Sequence, residues 1–279
     1  MFETAEVGHH IDKETYAVEV PLLRTALLDA QFDLAQSRKF PVVLVIGGVD
    51  GAGKGETVNL LTEWMDPKHI QVHGFGAPTD EEAQRPPMWR FWRALPPSGK
   101  IGIFFGSWYT DPILERVLGA QGERRLDHTV EGINHFERML ADEGTLVLKF
   151  WFHLSKKAQK KRLEKLEADP VTRWRVTKAD WKNFKRYDKF RDASARVVRE
   201  TSLAHAPWIV VEGEDARYRS LTVGKTLLAA LRARLDLPAT AATATAPAPV
   251  QRAARARCCA SPATARTARR VSGQSTAAR

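Results

Sequence analysis

The sequence predicts an α/β domain, a five-stranded parallel sheet with helices on both faces. Three observations carry this. Short apolar runs alternate with helical patterns from residue 12 to residue 235. Four of the five runs are strongly apolar, as strands buried on both faces are. The run PVVLVIGG (41–48) passes through a glycine-rich loop, GVDGAGK (48–54), directly into a helical pattern.

Each element has its own signal. Residues 12–37 place Val18, Val20, Leu22, Leu23, Leu27, Leu28, Phe32 and Leu34 at helical spacing, with Pro21 as a start or a kink. The β-branched run 41–48 is the first strand, and 53–65 the helix after the loop. IQVHGF (70–75) is the second strand. DEEAQRPPMWRFWRAL (80–95) turns helical after its prolines. KIGIFF (100–105) is the third strand, 125–142 a helix that stops at Gly144, and TLVLKFWFHL (145–154) the fourth strand. SKKAQKKRLEKLEAD (155–169) is a helix with Ser155 as N-cap. A charged helix is expected over 178–202, a fifth strand at WIVVEG (208–213) and a closing helix over 215–235.

After Pro238 the composition changes. Residues 239–279 hold 15 Ala and 7 Arg, with no Asp, Glu, Lys, Leu, Ile or aromatic residue. Such a segment cannot offset its ordering entropy by burial. The expectation is one folded domain over 1–238 and a disordered tail over 239–279. The chain carries 43 basic and 33 acidic residues, a net charge of +10. The tail supplies +7 of it, so the folded part is only +3. Both cysteines, Cys258 and Cys259, lie in the tail, so the domain has neither a disulfide framework nor a thiolate metal site. The N-terminus lacks a secretory h-region, and the apolar runs are too short to span a bilayer. A cytoplasmic protein with no membrane partner is expected.

GVDGAGK, Gly48 to Lys54, fits the pattern G-x-x-x-x-G-K between a strand and a helix. Gly48, Gly51, Gly53 and Gly55 let the backbone curl until successive N–H groups point at phosphate oxygens. The next helix adds the positive end of its dipole. Lys54 supplies a mobile charge to a phosphoryl group in transit. Gly55 stands where Ser or Thr normally meets magnesium, so the metal must be held differently. Asp50 is the candidate, either as metal ligand or as acceptor of a proton.

Residues 155–191 hold 14 Lys/Arg against 5 Asp/Glu, while the rest of 1–238 is about −6. Lys178, Lys182, Lys185, Arg186 and Lys189 follow helical spacing, with Trp174, Trp181, Phe184, Tyr187 and Phe190 interleaved. A solvated helix with inward-packed aromatics explains the aromatics, but a +9 block fits a polyanion better. Polyphosphate, a nucleotide or nucleic acid would each suit it. The block also lies where a lid would close on an anionic substrate.

These motifs together resemble the second family of polyphosphate kinases. The matching stretches are GGVDGAGKGE (47–56), RPPMWRFWRALPPSGKIGIFFGSWY (85–109), HFERML (135–140), KFWFHLSKKAQKKRL (149–163) and APWIVVEG (206–213). They span nearly all of 1–238. The resemblance implies a thymidylate-kinase-like P-loop fold, a three-layer sandwich with a helical lid. It also implies Mg2+, inorganic polyphosphate as donor and a nucleotide, AMP or ADP, as partner, with a homo-oligomer allowed and nucleic acid disfavoured. Asp50 and Lys54 match the family's loop aspartate and lysine, and Arg93 the arginine of its Trp-Arg motif. Lys149 and Arg162 match its basic residues on the fourth strand and the following helix.

One stretch departs from the pattern. Family members that work as kinases usually read Asp-Arg-Ser-Trp-Tyr where this chain reads Phe105-Gly106-Ser107-Trp108-Tyr109. A metal ligand and a phosphate-binding cation are each worth several kcal/mol in a transition state. The chain resembles the first half of a tandem member of the family, and its tail has the composition of an out-of-frame reading of GC-rich DNA. Two functions follow: a polyphosphate-dependent nucleotide phosphotransferase, or a catalytically degenerate half that keeps the fold and anion binding. An ATP-dependent nucleoside monophosphate kinase suits the fold but not the ordered motifs.

Overall fold

The computed structural model describes residues 1–120 and 122–236. The tail expected over 239–279 lies outside them. Five strands form one parallel sheet: β1 (Val42–Gly48), β2 (Ile70–Gly74), β3 (Ile101–Phe105), β4 (Leu146–His153) and β5 (Trp208–Glu212). Their order is β2-β3-β1-β4-β5. The register is continuous, with Val42 opposite both Ile101 and Leu146. The chain builds one side of β1 first and then crosses to the other. This crossing puts a crevice at the carboxyl end of β1, where ligands bind in open α/β sheets.

The alternation of β1 divides the core. Val42, Leu44 and Ile46 face a layer made of α1 (Lys13–Ser37), α2 (Lys54–Trp64) and α10 (Ala216–Leu235). Val43 and Val45 face the opposite layer, made of α5 (Thr110–Leu118), α6 (Glu123–Asp142) and α9 (Tyr187–Thr201). The result is a three-layer sandwich with a five-stranded parallel sheet, as the sequence predicts. Between these lie α3 (Asp80–Ala83), α4 (Trp89–Arg93), α7 (Lys156–Ala168) and α8 (Lys178–Phe184). Among the described residues no helix is long and apolar enough to cross a membrane.

Four local expectations are corrected. Pro21 does not start α1, which runs through it for 25 residues, so of the start and the kink only the kink is left. The helix expected over 80–95 is two short ones, because Pro86-Pro87 cannot continue the hydrogen-bond ladder. Helix α5 had no expected counterpart. Asp111-Pro112 resembles a turn, yet Pro112 sits in the first helical turn, where its missing N–H costs nothing. The single helix expected over 178–202 breaks at Lys185-Arg186. There Tyr187 turns inward, buried, and its hydroxyl donates to the Leu154 carbonyl at 2.7 Å, while α8 stays outside.

Candidate active site

The phosphate-loop segment leaves β1 at Gly48, whose φ is +137°. A Cβ there would lie 2.1 Å from the Phe152 carbonyl oxygen of the neighbouring strand, so only glycine fits. The loop then wraps to Gly53, the N-cap of α2. Lys54 begins α2 and folds back over the loop. Its Nζ donates to the carbonyls of Gly48 (2.6 Å) and Val49 (2.9 Å) and lies 3.7 Å from Asp50 Oδ1. Burial lowers the Lys54 pKa from its ordinary value, and the Asp50 charge offsets part of that.

Asp50 is held from outside the loop. Gln159 on α7 donates to its carbonyl at 2.9 Å, and Asn183 on α8 reaches its Oδ2 at 3.4 Å. Asn183 therefore ties α8 to the loop. Among the described residues no three His, Cys, Asp or Glu side chains cluster as metal ligands. The Asp50 carboxylate is 42% exposed. A single exposed carboxylate suits a hard cation that completes its shell with phosphate oxygens and water. A Cβ at Gly55 would meet nothing within 4 Å, so sterics do not explain the missing hydroxyl.

Beside the loop, Glu56 gathers three guanidiniums from three elements. Arg162 of α7 lies at 2.6 Å, Arg219 of α10 at 2.8 Å and Arg175 at 3.1 Å. Burial pushes the Glu56 carboxyl up, but the arginines outweigh it and hold its pKa below 4.5. A depressed folded pKa adds stability that is present above the unfolded value and lost as pH falls through the folded one. The stability gap between wild type and Glu56→Gln is therefore expected to narrow below about pH 4.5. Denaturant melts at pH 7 and pH 4 measure it.

A cavity of about 440 Å³ opens where loop, sheet and α8 meet. Gly48, Asp50, Lys54, Gln159, Asn183 and Arg186 form its polar wall. Phe75, Phe105, Ile113, Leu114, Val117 and Phe190 form an apolar one.

Behind the cavity lies a fully buried ionic knot. Lys149 Nζ donates to Glu137 Oε2 (2.6 Å), to the Tyr109 hydroxyl (3.0 Å) and to the Thr201 carbonyl (2.8 Å). Tyr109 Oη (2.6 Å) and Trp108 Nε1 (3.0 Å) both donate to Glu137 Oε1. Burial lowers the Lys149 pKa, and burial with the Glu137 charge raises that of Tyr109 well above 10.

A family model described as polyphosphate kinase 2 matches residues 10–236. The chain belongs to the polyphosphate kinase 2 family. It is 57% identical to a polyphosphate:AMP phosphotransferase of Pseudomonas aeruginosa, over 84% of this chain and 47% of that protein. An AMP/ADP-polyphosphate phosphotransferase of Meiothermus ruber is 34% identical, over 68% of this chain and 71% of that one. The crystal structure of polyphosphate kinase 2 from Arthrobacter aurescens superposes with a TM-score of 0.78 at 31% identity, covering 84% and 85% of the two chains. The chain spans about half the length of the first curated relatives it matches.

In this polyphosphate kinase 2 member the sequence-derived residues fall into three groups. Asp50, Lys54 and Arg186 line the cavity, and Arg162 flanks the loop with its Cγ 3.4 Å from a Cβ built on Gly51. Lys178, Lys182 and Lys185 sit exposed on or beside α8, outside the cavity lining. One expectation fails. Lys149, expected to grip polyphosphate, is 0% exposed and spends its charge on Glu137, so it does not face a bound polyphosphate. Arg93 lies exposed on α4, 4.7 Å from the Trp89 ring and outside the cavity lining. Glu56, Arg175, Arg219, Gln159 and Asn183 were not singled out from the sequence. Glu56 directly follows the loop motif, and an acid beside a loop expected to hold anions was the signal available.

The departing stretch is now explained in part. Ser107-Trp108-Tyr109, HFERML and KFWFHL are distant in sequence but meet in the Glu137–Lys149 knot. Phe105 forms cavity wall, and Gly106 has φ +74°, with any Cβ only 2.5 Å from the Phe75 carbonyl oxygen. Gly106→Arg is therefore expected to cost about 3 kcal/mol of stability or to reorder residues 105–109. Chemical denaturation of that variant measures it, and a cost near zero would show that the backbone can move.

Proposed function

We propose that this domain transfers a phosphoryl group between inorganic polyphosphate and a nucleotide, with AMP to ADP as the forward reaction. The supporting observation is the cavity, lined both by Lys54 and Asp50 and by an apolar set that includes Phe75 and Phe105. Convergent polar groups beside an apolar wall suit a nucleotide, phosphates toward the loop and nucleoside toward Phe75 and Phe105. Lys54 would leave its two loop carbonyls and carry the transferred group. Asp50 would hold magnesium or accept the acceptor's proton. Bound magnesium would neutralise phosphate oxygens. Arg162, Arg175 and Arg186, with Lys178, Lys182 and Lys185 farther out, would guide the polyanion toward the loop. A cytoplasmic setting goes with the nucleotide substrate.

The rival reading, a degenerate half that only binds anions, rests on Phe105-Gly106 at the tip of β3. One assay separates the two: purified protein with AMP, polyphosphate and magnesium, read as ADP formed. Turnover that disappears in Lys54→Ala supports transfer. Polyphosphate binding with no turnover supports degeneracy. Equal competition by single-stranded DNA across a salt series would turn the basic block toward nucleic acid. Arg162→Ala is expected to raise the apparent KM for polyphosphate about tenfold and leave that for AMP within about twofold, a charge-assisted contact being worth roughly 1.5–3 kcal/mol before competition with Glu56. Initial rates at varied polyphosphate check this.

A further inference from the structure

The two oxygens of Glu56 are used differently. Oε2 takes Arg219 at 2.8 Å, while Oε1 is shared by Arg162 at 2.6 Å and Arg175 at 3.1 Å. Arg219 is 4% exposed and fixed, since its guanidinium also donates to the Gly213 carbonyl (2.8 Å) and to Thr57 Oγ1 (3.2 Å). Arg162 and Arg175 are 31% and 36% exposed, free to turn toward solvent. Burial lowers the Arg219 pKa from its ordinary value; the Glu56 charge offsets part of that, and the Arg162 charge adds to it. The guanidiniums thus repel one another across the carboxylate. Three positive charges against one negative leave a surplus of two, more cation than Glu56 needs. Glu56 also lies in the first turn of α2, whose N-cap Gly53 supplies no side-chain oxygen. Its carboxylate stands where the helix end and the arginines together favour a phosphate.

We propose that Glu56 is an internal anion that competes with polyphosphate for Arg162 and Arg175. On binding, these two exchange Oε1 for phosphate oxygens. Arg219 keeps Oε2, so the carboxylate is not left unpaired. The exchange rests on the reading that both arginines guide the polyanion. Its consequence is a threshold set by one residue. An arginine held by Glu56 about nine-tenths of the time lowers the apparent affinity of a ligand that needs it about tenfold. Were Glu56 there to align the arginines for phosphate, removing its charge would weaken binding. The sign of the effect therefore decides.

Isothermal titration calorimetry of the full chain with inorganic tripolyphosphate, at fixed pH and salt, reads that sign. Glu56→Gln, whose amide oxygen still accepts from Arg219, is expected to bind about tenfold more tightly than wild type. Glu56→Asp keeps the charge and is expected to bind as wild type does. The gain of Glu56→Gln is expected to vanish when Arg162→Ala and Arg175→Ala are added to it. Side-chain Nε–H NMR of the wild type needs no variant that has to fold: tripolyphosphate should shift the Arg162 and Arg175 signals and leave that of Arg219 in place. Equal or weaker binding by Glu56→Gln overturns the inference and leaves phosphoryl transfer standing. So do Arg162 and Arg175 signals that stay still while tripolyphosphate binds. Tighter binding by Glu56→Gln in a protein without turnover supports the inference and removes only the transfer reading. Tripolyphosphate that binds neither protein overturns both.

Discussion

Lys54→Ala is expected to leave the fold intact and to lower phosphoryl-transfer turnover by about a thousandfold or more. The stability side follows from geometry. Lys54 Nζ bonds only two loop carbonyls and a carboxylate at 3.7 Å. Losing those bonds at the edge of a cavity that water enters costs about 1 kcal/mol. The catalytic side follows from charge. A preorganised cation at a transferring phosphoryl group is a large stabilising element, and the removal of one such donor elsewhere costs about 10²–10³ in rate. Asp50 cannot replace it, because its charge has the opposite sign. Lys54→Arg is expected to rescue little, because a guanidinium is planar and longer where a point charge must sit. Turnover within tenfold of wild type in Lys54→Ala would remove Lys54 from the transfer step.

The second large effect concerns Lys149. Lys149→Met is expected to destabilise the domain by about 3–5 kcal/mol, because it strands the Glu137 carboxylate in the core. Adding Glu137→Gln is expected to return a substantial part of that cost. The amide oxygen still accepts from Trp108 and Tyr109, and no buried charge remains unpaired. A double-mutant cycle by denaturant unfolding measures the coupling between the two sites. A surface role gripping polyphosphate predicts the reverse: unchanged stability and a raised KM for polyphosphate. The 0% exposure of Lys149 decides between them in favour of the buried role.

Much of the architecture is legible without coordinates. The order of strands and helices follows from apolar runs and their periods, and the site of the loop follows from its glycines. The placing of Lys54 and Asp50 on that loop also follows, because a local backbone curl is encoded by local residues. Lys149 shows where such reading stops. A lysine within TLVLKFWFHL resembles a functional cation, and nothing nearby reveals a carboxylate twelve residues back on another element. The pairing exists only because α6 crosses β4 there. The break at Lys185-Arg186 is similar. The charge periodicity runs straight through it, and only the pull of Tyr187 toward the core bends the chain.

The sequence by itself therefore determined the family, the sheet and the phosphate loop, since each rests on short-range patterns of residue type. Tertiary structure decided which charges are available for chemistry. It buried Lys149 against Glu137 and laid Arg93 beside the Trp89 ring. It also gathered Arg162, Arg175 and Arg219 around Glu56. Side-chain charge is written in the sequence. Whether that charge faces a ligand, a counter-ion or the core depends on which distant elements fold against it, because pairing energies act through space and not along the chain.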